Sequence, residues 1–368
     1  MSWALAIGAL LALIVLHELG HFLAAKAVGM RVERFSLFFG PVIASFKRGE
    51  TEYALSAIPA GGYVRITGQD PRKVLPPELA HRGYFAKAPW KRIVVVAAGP
   101  LANVLVAMVL AWLAFAIYGQ AYTTNKVAGP LKAPAAGVLH PGDKIVSVDG
   151  KPGTPDQIVK AISSHRCAGR PTPGCQATTP VTMVIARGGE QRTLHVTPVY
   201  DKDAKRMRVG FAFGAAYRDV GPLRAVSLGG SALWDVTKAQ LSAFAHIFDS
   251  KTRSQLTGVV GTVDITHQLI NEDRQAALLM VALISVALAV VNLFPILPLD
   301  GGHIVWAVLD WVRKRPVSVV AMERSAMIGL ALILVLVVLV MSSDRCTMLG
   351  PRSTPPPRAQ RILSSSLV

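Results

Sequence analysis

Five residues, His17-Glu18-Leu19-Gly20-His21, constrain this chain more than any other feature, because they stand inside a hydrophobic stretch. Residues four apart share one face of a helix, so the imidazoles of His17 and His21 can meet at a single metal ion. The carboxylate of Glu18 sits beside them, where it can take a proton. An H-E-x-x-H arrangement points to zinc with a neighbouring base. The run before it, Ala4 to Leu16, carries no charge. Ionisable groups at bilayer depth are costly and by default functional. The segment lacks the basic start of a secretory leader, and cleavage after it would strand the motif, so it reads as a retained span.

Three further runs reach, or nearly reach, the length of a bilayer: Ile93 to Tyr118, Ala276 to Leu299 and Ser325 to Ser343. The 52 % hydrophobic content is concentrated in these runs. The formal net charge of +17 does not point to nucleic acid, because the cations are not gathered into a basic domain with interleaved aromatics. They flank the spans instead. Residues 26–92 hold twelve Lys/Arg against five Asp/Glu, and Arg313, Lys314, Arg315 and Arg324 fall between the last two spans. The positive-inside rule places both loops inside. The N-terminus, the segment 119–275 and the C-terminal tail then lie outside. The expectation is a polytopic α-helical membrane protein of about four transmembrane helices in the inner or plasma membrane, with its motif toward the cytoplasmic side.

Inside, Arg31 to Phe39 and Glu52 to Thr67 read as strands, broken by Gly40-Pro41, Lys47-Arg48-Gly49 and Gly61-Gly62. They form either a sheet against the membrane face or an ordinary cytoplasmic hairpin. The second span contains Gly99-Pro100-Leu101-Ala102-Asn103, read mainly as helix packing, with an asparagine that needs a partner at that depth. Outside, residues 125–213 are polar, Gly/Pro-punctuated and strand-rich. Val181–Ala186 and Arg192–Val196 pair as a hairpin. The phrase Gly142-Asp143-Lys144-Ile145-Val146-Ser147-Val148-Asp149-Gly150, after a helical turn at 134–138, resembles a PDZ domain. Cys167 and Cys175 can bridge in that compartment or remain free thiols. Residues 222–248 read as an amphipathic helix.

A catalytic zinc takes three protein ligands and keeps one position open. His140, His165 and His195 are across the membrane from the motif. The first and third spans run in the same direction, which brings His17 and Asp300, at the end of the third span, to similar depth. Asp300 is the one acidic residue so placed. His303 is the alternative.

With HELGH in the first span, Asn292-x-x-Pro295-x-x-x-x-Asp300-Gly301 in the third and Gly99-Pro100-x-x-Asn103 in the second, the sequence resembles the site-2 protease family of intramembrane zinc metalloproteases, of the bacterial regulator-of-sigma-E protease type. The likeness covers about residues 5–343. It implies one catalytic Zn2+ held by His17, His21 and Asp300, with Glu18 as general base and acid. It also implies Asn292 as a holder of substrate backbone, and a membrane-associated β-loop at Gly61, Gly62, Tyr63 and Val64 that takes the substrate as an added strand. The implied substrates are single-pass membrane proteins, such as an anti-sigma factor. The outer PDZ-like unit would then admit those already trimmed by another protease. The chain departs from the family in carrying one PDZ-like unit, in Thr257-Gly258-Val259-Val260-Gly261 without the usual proline, and in Ser342-Ser343-Asp344-Arg345 where Asn-Asp is usual. The expected organisation is 1–118 (two spans and β-loop), 119–214 (PDZ-like), 215–275 (outer helix and linker), 276–345 (two spans) and 346–368 (a disordered tail). An intramembrane metal transporter and a non-proteolytic PDZ scaffold are the rival readings, and an intact Glu18 argues against both.

Overall fold

The computed structural model describes residues 2–70, 75–202, 204–246, 259–315 and 317–348. The chain forms two compact units, residues 1–118 with 221–368, and residues 119–220. The first unit opens with α1 (Ser2–Ala27), which carries the H-E-x-x-H motif in its second half. A hairpin of β1 (Val32–Arg48) and β2 (Thr51–Ile66) follows, turning at Gly49 with φ +64°. Each strand bends back on itself, so Arg34–Leu37 is flanked by Glu52–Leu55 on one side and by Gly62–Arg65 on the other. The interruptions expected from Gly40-Pro41 and Gly61-Gly62 are therefore bends within two long strands rather than strand ends. Register shifts absorb them.

After a short α2 (Pro77–Ala80), α3 (Pro89–Tyr118) runs for 30 residues with Pro100 inside it. Phe22, Ala25, Met30, Val32, Ile66, Tyr84, Val95 and Val96 form one buried cluster, which ties the base of the hairpin to α1 and α3. The far part of the hairpin is different. Ile43 is 68 % and Phe46 65 % exposed, with Phe39, Val42 and Ile58 also open.

The second unit contains β3 (Gln120–Ala128), β4 (Lys144–Val148), β5 (Lys151–Pro152), α4 (Pro155–Ser164), β6 (Val181–Arg187), β7 (Glu190–Val196), β8 (Val199–Asp201), β9 (Arg206–Arg208) and β10 (Ala212–Arg218). Its main sheet has the order β10-β3-β4-β6-β7, with β5 on β4; β8 and β9 pair separately. Ile145, Val148, Ile158, Ile162, Val181, Met183 and Ile185 fill the core. Thr154 and Gln157 close a reciprocal capping box at the start of α4. Cys167 and Cys175 are joined as a disulfide with Cα atoms 6.1 Å apart. Asp143 is buried and takes two 2.8 Å bonds from the Arg187 guanidinium, and a third from the His140 amide.

The chain returns to the first unit with α5 (Pro222–Ala245), α6 (Val259–Glu272), α7 (Arg274–Asn292), α8 (Asp300–Arg313) and α9 (Val319–Met348). Among the described residues, α1, α3 and α7 are long and apolar enough to cross a membrane. The fourth expected span falls within α9, and the expected tail beyond 348 lies outside the described residues. The third span is shorter than the sequence suggests. It stops at Asn292, residues 293–299 form an irregular turn containing Pro295 and Pro298, and Asp300 opens a new helix rather than closing the old one. Two prolines within four residues remove the amide donors that would have carried α7 onward. The stretch read as a basic loop is therefore largely helix α8. Small residues set the packing of α3, α5 and α7, with Ala107, Ala111 and Ala282 buried beside Leu233 and Val286.

The Asp143–Arg187 pair makes the second unit acid-sensitive. The guanidinium holds the Asp143 carboxyl below its ordinary range. A depressed carboxyl contributes stability above its unfolded pKa of about 3.9, and that stability is lost as pH falls through the lower folded value. Asp143→Asn is expected to lower hydrogen-exchange protection of the β4 and β6 amides at neutral pH. The gap from the parent protein should narrow as pH falls below about 4.

Candidate metal centre

The centre is built where three helices of the first unit meet. From α1 come His17 and His21, one turn apart. From α8 comes Asp300, in the first turn, where a carboxylate is favoured by the helix N-terminus. Between them passes α3, with Gly99 as bare backbone. The His17 Nε2 atom is 3.2 Å from His21 Nε2 and 3.2 Å from Asp300 Oδ2, and His21 Nε2 is 3.3 Å from the same oxygen. A tetrahedral ion with bonds of about 2.0–2.1 Å requires its ligand atoms to stand roughly 3.3 Å apart. The triangle has that size. Asp300 Oδ2 is also buried without a well-aligned donor, as an atom reserved for a cation would be. Among the described residues this is the one His/Cys/Asp/Glu group able to hold a metal ion.

Glycines create the space. A Cβ at Gly99 would overlap His21 Nε2 and stand 2.9 Å from His17 Nε2. A Cβ at Gly20 would strike the Ala98 carbonyl oxygen. Gly20 and Gly99 thus allow α1 and α3 to touch at the depth of the histidines. Gly301 and Gly302 do the same for α8: side chains there would collide with the backbone of residues 293–294 and 296–297. That close turn fixes where Asp300 stands.

The remaining expected residues divide. Gly62 is brought to Glu18, since a Cβ at Gly62 would lie 2.9 Å from Glu18 Cγ. Gly61 has φ +147° and passes Phe39. Tyr63 turns instead toward the hairpin, stacking on Phe39 and accepting from Arg34 Nη1 at 3.3 Å, and Val64 packs on the Phe22 cluster. Asn292 lies half-buried at the end of α7, its Nδ2 donating back to the Leu288 carbonyl at 3.0 Å. His303 lies one turn beyond Asp300 and is not part of the ligand triangle.

One residue read as packing belongs to the centre. Asn103 is 0 % exposed, and its Nδ2 atom lies 3.1 Å from His17 Nδ1. The signal in the sequence was a lone amide in a charge-free span. His21 has a comparable partner, its Nδ1–H donating to the Val95 carbonyl at 2.8 Å. Val95, Gly99 and Asn103 recur every four residues, so one face of α3 serves both rings.

Peptidase family M50 matches residues 5–336. The chain belongs to that family. It is 32 % identical to the "Putative zinc metalloprotease" of Nostoc sp., over 91 % of this chain and 93 % of the relative. It is 31 % identical to a protein of the same description from Rhizobium meliloti, over 90 % and 93 %. It is also 26 % identical to the regulator of sigma-W protease RasP of Bacillus subtilis, over 90 % and 95 %. This M50 chain is a zinc metalloprotease, a membrane-embedded hydrolase of the site-2 protease family. The donor set of two imidazoles and one carboxylate suits the zinc of such enzymes.

The Gly99 floor yields a direct test. Gly99→Ala places a methyl group on the Nε2 atoms of His17 and His21. Purified variant is expected to retain far less zinc than the parent by elemental analysis, while the second unit keeps its hydrogen-exchange pattern.

Proposed function

We propose that the chain is an endopeptidase that hydrolyses peptide bonds within the membrane segments of single-pass membrane proteins. His17, His21 and Asp300 hold its zinc, and Glu18 is its base and acid. The observation that carries this reading is the convergence of the three ligand atoms with Glu18 on one side and the Gly62 backbone beside it. Zinc bound there would polarise the scissile carbonyl and acidify water. Glu18 takes the water proton and later returns it to the leaving amine. His17, His21 and Asp300 keep their places because α1, α3 and α8 are locked by glycine contacts.

A helical substrate hides its scissile carbonyl, so the segment must unwind before it is cut. Among the described residues, the 62–66 segment of β2 pairs with β1 on one side. Its other edge offers backbone hydrogen bonds to an unwound substrate, by strand addition next to Glu18. Gly61 and Gly62 permit close approach, Tyr63 and Val64 brace the edge from behind, and Asn292 bonds a substrate carbonyl. The exposed Phe39, Val42, Ile43, Phe46 and Ile58 suit a hairpin that dips into lipid. The second unit, read as PDZ-like, filters substrates on the extracytoplasmic side, so that those already shortened by another protease enter. An anti-sigma factor is a fitting substrate, given the name of the Bacillus relative.

Glu18→Gln preserves size and reach but not basicity. It is expected to keep zinc and substrate binding while cleavage of a transmembrane reporter falls by roughly 10²–10⁴-fold. Near-parental cleavage would refute the mechanism. Orientation is checked by single cysteines in a chain whose Cys346 is replaced. A cysteine at Glu78 is expected to resist an impermeant reagent in intact cells, and one at Lys151 to react. The reverse pattern would overturn the topology and the filter together.

A further inference from the structure

We infer that Asn103 is a positioning residue of the metal centre: its amide oxygen receives the Nδ1–H of His17 and so keeps the Nε2 lone pair of that ring free for zinc. The inference rests on His17 being a zinc ligand, as proposed above.

The argument starts from the imidazole. A neutral histidine carries one ring proton, and the partner of one nitrogen decides where it sits. For His21 the matter is fixed by the backbone. The Val95 carbonyl can only accept, so the proton is on Nδ1 and Nε2 is bare. For His17 the partner is an amide with two unlike ends. In the structure Nδ2 lies 3.1 Å from His17 Nδ1, and Asn103 Oδ1 is buried with no partner. If the nitrogen donates, His17 Nδ1 accepts, and the ring proton is driven to Nε2. There it faces Asp300 Oδ2 and His21 Nε2 and occupies the lone pair that a metal needs.

Turning the amide by 180° keeps its shape and exchanges oxygen for nitrogen. Oδ1 then accepts from His17 Nδ1–H, and both rings present bare Nε2 atoms to Asp300. Asparagine can bond the ring in either pose, but only the pose with Oδ1 toward the ring leaves Nε2 to a metal. A metal on Nε2 draws charge from the ring and strengthens the Nδ1–H···Oδ1 bond, so the amide adds to zinc affinity. Asn103 is well held for this task. It is fully buried, and its backbone carbonyl accepts a 2.8 Å bond from Ser285 Oγ of α7.

Partners of this kind change metal affinity by roughly 10–100-fold. The test measures zinc affinity of the purified full chain by competition with a chromophoric chelator, and hydrogen exchange of the chelated protein. Asn103→Ala is expected to weaken zinc binding by about 10–100-fold. Asn103→Asp, which accepts but cannot donate, should restore most of the affinity. Ser285→Ala, which removes a bond to the Asn103 backbone and leaves its side-chain amide in place, should lose clearly less zinc affinity than Asn103→Ala. An aspartate variant as weak as alanine, or an alanine variant as tight as the parent, overturns the inference. So does a Ser285→Ala loss equal to that of Asn103→Ala, which would mark the effect as packing. If Asn103→Ala fails to fold, the aspartate variant decides alone, by keeping or losing zinc. His17→Ala is measured in parallel. Zinc held at full affinity there would instead refute the ligand assignment itself.

Discussion

Everything in the first unit depends on how closely α1 and α3 approach. Gly20 brings the α1 backbone against the Ala98 carbonyl of α3, and Gly99 leaves room on α3 for the two imidazoles of α1. The consequence is chemical as well as mechanical. With no Cβ at position 99, the two imidazoles of α1 lie against the α3 backbone, and residues 95 and 103 reach their outer nitrogens. A larger residue at either glycine would separate the helices and disperse the ligands. The same device recurs at Gly301 and Gly302, where α8 is pressed onto the turn before it and Asp300 is delivered to the histidines. The metal site is thus the product of close approaches at four glycines, in a setting where hydrophobic attraction between helices is weak.

Much of this was legible in the sequence, for definite reasons. That His17 and His21 share a helix face needed only helical periodicity. That Asp300 stands at their depth followed from the parallel sense of the first and third spans, although Asp300 opens a separate helix. The reading failed where tertiary structure overrides local pattern. Apolar character continues through Leu293–Leu299, so the third span looked longer than it is; backbone donors, not hydropathy, end it at Asn292. Gly40-Pro41 looked like a strand end, yet pairing on both sides of Arg34–Leu37 carries β1 through it. Asn103 could be flagged as a polar residue in need of a partner, but no rule of spacing connects it to His17, 86 residues away. Nor could the approach of Gly62 to Glu18 be read, since it depends on how a bent hairpin rests on a helix.

The hairpin also shows two kinds of side-chain environment in one element. Its base is sealed into the Phe22 cluster and clamped by Arg82, which reaches Glu50 with two 2.7 Å bonds. Its outer part presents aromatic and branched residues to its surroundings. In water such a surface would invite association. In the proposed reading the surroundings of this part are lipid, and the same residues become an ordinary contact with it.

The ends of the second unit have a consequence for how such chains diversify. β3 begins and β10 finishes as neighbours in one sheet, with Gln120 directly opposite Arg218. The polypeptide therefore enters and leaves this unit through a gap about one strand spacing wide, near 5 Å. An insertion whose ends are already together can be exchanged for another without stretching the host. Genetic replacement between Tyr118 and Gly221 would leave His17, His21, Asp300 and the glycines packed around them unchanged in sequence. Evolution can in this way exchange the second unit while the first stays the same.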